Sequence, residues 1–125
     1  MSPNKAYAAM SATSPLVPFS FQYRDPGEHE IGIQILYCGI CHTDVHQARN
    51  EWNGTMYPCV PGHEIVGRVT KAGANVKTFR EGDLAAVGCM VDSCRECDSC
   101  RAGEEHLCEN GPVFTYWTRW RRGTT

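Results

Sequence analysis

Hydrophobic residues alternate with polar ones along several short stretches of the chain. Phe19, Phe21 and Tyr23 are separated by polar residues, and within residues 29–37 every second position from Ile31 onward is apolar. A period of two is typical of half-buried strands. The second stretch predicts a strand that places on one face Ile31, Ile33, Ile35 and Tyr37. Shorter apolar segments predict further strands at Lys5–Met10, Ile65–Lys71 and Leu84–Cys89.

The alternation is lost in two regions. Residues 38–50 predict a short helix, and residues 92–110 carry few apolar side chains but several cysteines. The 12 glycines and 7 prolines are typical of a turn-rich domain rather than a helical bundle. We therefore predict one mainly β (α+β) domain over residues 1–116, which includes a cysteine-rich lobe at residues 92–110.

Length, composition and charge exclude several classes of protein. A chain of 125 residues with 42% hydrophobic and 21% charged residues fits one globular domain. Its net charge of −2 predicts no nucleic-acid partner and no attraction to anionic membranes. No stretch approaches the roughly 20 apolar residues of a membrane helix, and residues 1–12 lack the apolar block of a signal peptide. We expect a cytoplasmic location, where eight cysteines point to metal more than to disulfides.

The lobe contains four cysteines with the spacing C-x2-C-x2-C-x7-C, at Cys94, Cys97, Cys100 and Cys108. Four thiolates suit tetrahedral zinc at about 2.3 Å each, and a lobe this polar would gain its stability from the metal. Two alternatives remain open. An iron–sulfur cluster also takes four thiolates, although the bacterial ferredoxin motif ends C-x3-C-P. Disulfides are the other, and they conflict with a reducing cytoplasm.

A second group of chemically active residues occupies positions 38–46 and 62–64. Cys41 and His63 are suitable zinc ligands, and catalytic zinc sites commonly take ligands from separate segments. The hydroxyl of Thr43 can pass a proton, and His46 can relay it to solvent. The carboxylate of Asp44 can hold the ring of His63 and fix its tautomer.

Each of these residues also has a simpler interpretation. A lone cysteine such as Cys41 is more often a small buried side chain. His42 and His46, four residues apart, are more often surface residues than ligands, and Asp44 is a good helix cap. Spacing alone leaves both interpretations open.

Four motifs follow one another along the chain: G-I-C-H-T-D-x-H, P-G-H-E-I-V-G, G-D-x-x-x-V-G and the four-cysteine spacing. As an ordered set they are highly specific, and from Lys5 to Tyr116 the chain resembles the medium-chain zinc-dependent alcohol dehydrogenases. Residues 51–54, 57–64 and 88–94 are similar to the cinnamyl alcohol dehydrogenase branch, which includes broad-specificity aldehyde reductases. The resemblance implies a GroES-like β-barrel domain in which the lobe holds structural zinc.

The resemblance also implies a second, catalytic zinc. Cys41 and His63 would be two of its protein ligands, and Glu64 would lie beside the metal. Catalytic zinc sites of this kind combine protein ligands with an open coordination position for the substrate. The structural zinc would be bound by Cys94, Cys97, Cys100 and Cys108.

Further roles follow from the same resemblance. Thr43 would hydrogen-bond the substrate oxygen and pass its proton toward His46, while Asp44 would orient the ligand histidine. His42 would lie near the pyrophosphate of the cofactor, and Trp52 would shape the substrate pocket.

The implied reaction interconverts alcohols and aldehydes by hydride transfer with NADP(H). Zinc acts as a Lewis acid on the substrate oxygen, and the hydride chemistry belongs to the nicotinamide. The expected partner is a small-molecule alcohol or aldehyde. Complete relatives are commonly homo-oligomeric, which leaves the state of this chain open.

The sequence departs from the family in length. Family members are roughly two to three times as long and carry a Rossmann domain with a Gly-rich phosphate turn. No G-x-G-x-x-G occurs here, and the third protein ligand of the catalytic zinc, a cysteine in the family, would come after position 125. We therefore expect a fragment that comprises the N-terminal catalytic domain and is inactive alone. The alternative is a stand-alone, non-catalytic zinc-binding module.

Residues 117–125 differ in composition from the rest of the chain. They are rich in Trp and Arg and do not resemble the family. This atypical tail suggests a frameshifted terminus. The alternative is a basic, aromatic tail that binds a partner.

Overall fold

The computed structural model describes residues 4–117. Over this range the chain forms seven strands, two short α-helices and two single-turn 3-10 helices. The strands are β1 (Asn4–Ala9), β2 (Leu16–Phe21), β3 (Ile31–Gly39), β4 (Glu64–Ala72), β5 (Leu84–Val87), β6 (Met90–Asp92) and β7 (Val113–Phe114). The helices are α1 (His42–Ala48), α2 (Asp98–Arg101) and the 3-10 helices Glu105–Leu107 and Thr115–Trp117. The prediction of a mainly β chain with a short helix in residues 38–50 is confirmed.

The first sheet is an antiparallel hairpin of β1 and β2, in which Asn4 pairs with Phe21 and Ala9 with Leu16. The predicted alternation holds in β2, whose residues are alternately exposed and half-buried. At the other end of the hairpin, Ala9 and Cys59 exchange two backbone hydrogen bonds of 2.8 Å. These bonds tie the hairpin to the loop that precedes β4.

The second sheet has the order β3-β4-β5, with both pairs antiparallel. Gly39 at the end of β3 pairs with Glu64 at the start of β4. Because of this register, the segment that follows β3 and the segment that precedes β4 lie next to each other at the same edge of the pair.

Two register shifts interrupt β3, one between Gly32 and Ile33 and one between Ile35 and Tyr37. Such bulges break the period-two alternation of a strand. Ile35 and Tyr37 are 58% and 74% exposed. The strand is half-buried from Ile31 to Ile33, but from Gln34 onward it is exposed on both faces, since Leu36 is 45% exposed as well. The half-buried strand predicted from the alternation is therefore confirmed only in its first part.

The buried apolar core of the described residues consists of small side chains. Apart from two cysteines of the lobe, its members are Ala8, Ala9, Cys59, Val69 and Ala85. Gly67 in β4 belongs to the same close packing, because a Cβ there would overlap Ile33 Cγ2 and the backbone carbonyl of Gln34. Side-chain volume at these positions is thus restricted by the approach of neighbouring strands.

The cysteine-rich lobe lies between β6 and β7, which pair with each other and close its two ends. Within residues 4–117, no helix has the length and apolar character needed to cross a bilayer. Of the predicted tail 117–125, residues 118–125 lie outside the described part of the chain. The predicted domain boundaries therefore stay predictions.

Candidate metal centres

The four cysteines of the lobe converge on one point. Their sulfur atoms all lie within 4.8 Å of one another, with Cys100 and Cys108 buried and the other two half-buried. The Cys94 and Cys100 sulfurs are 3.9 Å apart. A tetrahedral ion with metal–sulfur bonds of about 2.3 Å would hold its ligands about 3.8 Å apart. The geometry therefore fits a single tetrahedral ion such as zinc.

Backbone N–H groups point at the sulfurs of this cluster. The N–H groups of Glu96 and Cys97 each donate to Cys94 Sγ over 3.4 Å, and the N–H of Cys94 donates to Cys108 Sγ over 3.4 Å. These hydrogen bonds from Glu96 and Cys97 lower the pKa of the Cys94 thiol to about 6. All eight cysteines are free thiols, so the lobe as described uses no disulfide.

The second cluster forms where β3 and β4 meet. Because Gly39 pairs with Glu64, Cys41 and His63 lie next to each other although they are far apart in sequence. The ligand atoms of Cys41, His63 and Glu64 all lie within 4.8 Å of one another. Gly39 leaves room for the carboxylate, since a Cβ there would overlap Glu64 Oε2. Cysteine, histidine and carboxylate donors are a ligand set that zinc accepts.

Helix α1 begins directly after Cys41, and the carboxylate of Asp44 joins the helix to the loop before β4. Asp44 Oδ2 accepts the backbone N–H of Cys41 at 2.9 Å, which caps the helix. Its Oδ1 accepts the backbone N–H of Gly62 at 2.9 Å and lies 3.2 Å from His63 Nδ1. One buried carboxylate thus positions the two segments that supply Cys41 and His63.

Tyr116 completes this arrangement, although no sequence motif indicates it. Its hydroxyl donates to Asp44 Oδ1 at 2.6 Å and also contacts His63 Nδ1. Burial alone would raise the pKa of Asp44, but hydrogen bonds from Tyr116, the Cys41 N–H, His63 and the Gly62 N–H hold that pKa below its usual range. Burial and the bond to Asp44 raise the pKa of Tyr116, so its hydroxyl keeps its proton. A local pattern could not signal this contact, because Tyr116 lies 72 residues from Asp44.

The residues predicted for proton transfer lie on α1 and just after it. Thr43 Oγ1 is 3.4 Å from Cys41 Sγ. Thr43 and His46 are three positions apart and therefore lie on the same side of the helix. Within residues 4–117 no hydrogen bond joins them directly. His46 Nδ1 instead forms a short contact with the carboxylate of Glu51, a residue for which the sequence predicted no role.

Three aromatic rings line the outer side of this helix. The rings of His42 and His46 are 4.6 Å apart, and those of His46 and Trp52 are 4.8 Å apart. Trp52 is 57% exposed. The structure thus brings the predicted cofactor-contacting and pocket residues together around His46.

The remaining three cysteines stay outside both clusters of the described chain. Cys38 and Cys89 are exposed and Cys59 is buried. None joins Cys41 and His63. A second thiolate for that site is therefore not supplied by residues 4–117.

Comparison with known proteins places this geometry in a family. Residues 27–124 match the alcohol dehydrogenase GroES-like domain. The NADP-dependent alcohol dehydrogenase C of Mycobacterium bovis is 53% identical over 116 residues, which cover 93% of this chain and 34% of that protein. The solved structure of a cinnamyl alcohol dehydrogenase from Sorghum bicolor is 44% identical with a TM-score of 0.89, covering 99% of this chain and 35% of that one.

A second solved structure is CAD from Helicobacter pylori complexed with NADP(H), which is 42% identical with a TM-score of 0.85 and covers 90% of this chain and 32% of that one. The chain spans about a third of the length of the relatives it matches. The resemblance inferred from the motifs, and the GroES-like fold that it implied, are confirmed by these matches. The chain belongs to the alcohol dehydrogenase family through its GroES-like domain.

Proposed function

We propose that this chain carries the metal-binding part of the active site of a zinc-dependent oxidoreductase that interconverts alcohols and aldehydes with NADP(H). The observation that carries the proposal is the convergence of Cys41, His63 and Glu64 beside a separate four-cysteine cluster. NADP(H) is supported by the NADP-dependent relative from Mycobacterium bovis and the NADP(H) complex from Helicobacter pylori. One catalytic and one structural zinc are therefore expected.

The donor set fits the metal in both clusters. Cys41, His63 and Glu64 would hold the catalytic ion. The carboxylate of Asp44 contacts both segments that supply Cys41 and His63 and fixes their positions. When bound, zinc supplies Lewis-acid polarisation of the substrate oxygen, and the nicotinamide supplies or accepts the hydride. The protein's own part is to hold the substrate oxygen near Thr43 and to move its proton.

Proton transfer would proceed along α1. The Thr43 hydroxyl lies beside Cys41 and can donate to or accept from the substrate oxygen. Since Thr43 and His46 share one side of the helix without a direct hydrogen bond within residues 4–117, a further hydroxyl or a water would be needed to bridge them. Beyond His46, the half-exposed carboxylate of Glu51 offers a route to solvent.

The rings around His46 would receive the other reactants. Exposed His42 would face the cofactor phosphates, and exposed Trp52 would form one wall of the substrate pocket. The aldehyde or alcohol that fits depends on the other walls, so the proposal specifies the substrate only by its class. A cytoplasmic location stays a prediction.

A non-catalytic zinc module is the second candidate. It is favoured by one observation: residues 4–117 provide one thiolate, one imidazole and one carboxylate at the second site, but no second thiolate. In that case only the four-cysteine lobe would bind zinc tightly.

Native mass spectrometry of the 125-residue chain separates the two candidates. We expect two zinc ions, of which one is lost in Cys41→Ser and neither in the control Cys38→Ser, whose thiol is exposed and outside both clusters. A chain that binds a single zinc, unchanged by Cys41→Ser, would support the module instead.

A second measurement probes whether the metal at Cys41 and His63 has an open position. Cobalt placed there should change its visible absorption when benzyl alcohol is added, because an open coordination site accepts an oxygen ligand. An unchanged spectrum would contradict a catalytic site. The chain alone is expected to show no NADPH-dependent reduction of benzaldehyde, and robust activity would overturn that expectation.

A further inference from the structure

The hydroxyl of Tyr116 belongs to no predicted motif, yet it lies at the centre of the second cluster. The ring packs edge-to-face on His63, with centroids 4.9 Å apart at 66°. The hydroxyl reaches both Asp44 Oδ1 and His63 Nδ1. Packing alone would explain the ring position, but not a polar atom directed between two buried polar groups.

The backbone that presents Tyr116 is fixed by its neighbour. The N–H of Thr115 donates to the Cys89 carbonyl at 2.9 Å, and the Thr115 hydroxyl donates to the Gly88 carbonyl at 2.6 Å. Both acceptors lie in the turn between β5 and β6. The tyrosine is thus held from a part of the chain that is distinct from α1 and from the loop before β4.

The directions of the hydrogen bonds define the tautomer of His63. Asp44 already accepts two backbone N–H groups, one on each oxygen. The Tyr116 O–H donates to Oδ1, so a lone pair of its oxygen faces His63 Nδ1. Both neighbours of Nδ1 are then acceptors, and Nδ1 must carry the proton. The lone pair of the ring lies on Nε2, the nitrogen left for a metal.

We infer that Tyr116 is a positioning residue that holds His63 in the Nδ1–H tautomer and in the ring orientation required for metal binding through Nε2. The inference rests on the proposed function where it concerns zinc, but the tautomer itself can be measured without metal in that site. Outer partners of metal-bound histidines typically change metal affinity by about 10- to 100-fold.

The test compares Tyr116→Phe with the unmodified chain and with Tyr7→Phe. Phenylalanine keeps the ring packing on His63 and removes only the hydroxyl. Tyr7 is 63% exposed on β1, so its variant controls for loss of a tyrosine hydroxyl elsewhere. Backbone amide chemical shifts of β3 and β4 that match those of the unmodified chain report that each variant keeps the sheet on which the second site is built.

The first readout is the tautomer of His63, from long-range ¹H–¹⁵N spectra of histidine-labelled protein in which a weak chelator has emptied the second site. We expect the unmodified chain and Tyr7→Phe to show the Nδ1–H form. Tyr116→Phe should show a larger share of the Nε2–H form or faster exchange of the Nδ1 proton. Identical spectra in all three proteins would overturn the positioning role.

The second readout is zinc affinity at the second site, measured by chelator competition. We expect Tyr116→Phe to weaken it by about 10-fold and Tyr7→Phe to leave it unchanged. Equal affinities would count against the role. If the unmodified chain binds zinc only in the lobe, the proposed catalytic zinc fails in this chain, while the tautomer readout still decides on Tyr116.

Discussion

The two metal clusters of this chain are built in opposite ways. The four cysteines of the lobe lie within 15 consecutive residues and are brought together by local turns and the short helix α2. Cys41 and His63 come from separate segments and meet because Gly39 pairs with Glu64 across β3 and β4. The lobe can therefore form its site from local sequence, whereas the second site requires the sheet.

The groups that hydrogen-bond the metal ligands of the two clusters also differ in how far from those ligands they lie along the chain. In the lobe, neighbouring backbone N–H groups donate to the sulfur of Cys94. At the second site the buried carboxylate of Asp44 and the hydroxyl of distant Tyr116 position His63. The first site is therefore stable as long as its metal is bound, while the geometry of the second depends on the tertiary structure around it.

The largest expected effect is loss of the lobe metal. Cys100→Ser removes a buried ligand, and structural zinc sites contribute on the order of 10 kcal/mol of binding free energy to folding. We expect native mass spectrometry to show one zinc fewer, and NMR to show disorder confined to residues 92–110. The matched control is Cys89→Ser, an exposed thiol outside the cluster. Retention of the lobe zinc in Cys100→Ser would contradict the assignment.

The next largest effect is expected from a substitution that removes a ligand of the second site. His63→Asn should weaken zinc binding there by more than about 100-fold, because a direct ligand matters more than the outer partners that account for 10- to 100-fold. The lobe zinc should stay bound. His106→Asn, an exposed histidine within the lobe segment, serves as control in the same chelator competition. Loss of both zinc ions in His63→Asn would show that the two sites are not independent.

A smaller effect is expected from a substitution in the β3-β4-β5 sheet, which should weaken zinc binding at the second site but not in the lobe. Gly67→Ala introduces a Cβ that overlaps Ile33 and the Gln34 carbonyl, and overpacking of this kind costs about 1–3 kcal/mol. Chemical denaturation should show that loss, accompanied by weaker zinc binding at the second site and unchanged binding in the lobe. In Gly88→Ala the added Cβ meets no atom within 4 Å, so its stability should be close to that of the unmodified chain.

The smallest effect concerns chemistry rather than stability. The N–H groups of Glu96 and Cys97 hold the pKa of Cys94 at about 6 only while the turns of the lobe are formed, and the lobe is expected to lose this order without its zinc. In metal-free protein, alkylation of Cys94 by iodoacetamide should therefore be half-maximal near the ordinary thiol pKa of about 8.5, because the thiolate is the nucleophile. Zinc should protect Cys94 but leave exposed Cys89 reactive, which peptide mass spectrometry can resolve. A half-maximal rate near pH 6 in metal-free protein would contradict this expectation and show that the turns form without the metal.

Much of the fold could be predicted because short strands leave local patterns. The segments predicted at 5–10 and 65–71 match β1 and β4 within one residue at each end, and the break in alternation at 38–50 marks α1. The half-burial predicted for β3 holds at Ile31 and Ile33 but not at Ile35 and Tyr37. Burial of a strand depends on which elements pack against its faces, and the pattern of a single strand does not reveal them.

By itself the sequence determined the local chemistry: the C-x2-C-x2-C-x7-C lobe, the short helix and the ordered motifs that led to the family. The resemblance predicted that Cys41, His63 and Glu64 lie together, and the structure shows that the pairing of β3 with β4 achieves this. Only the tertiary structure decided that Glu51 contacts His46 and that Tyr116 reaches Asp44. The physical reason is distance along the chain. Ligands a few residues apart are constrained by turn geometry, but a hydrogen bond between residues 72 positions apart exists only once the strands have paired in register.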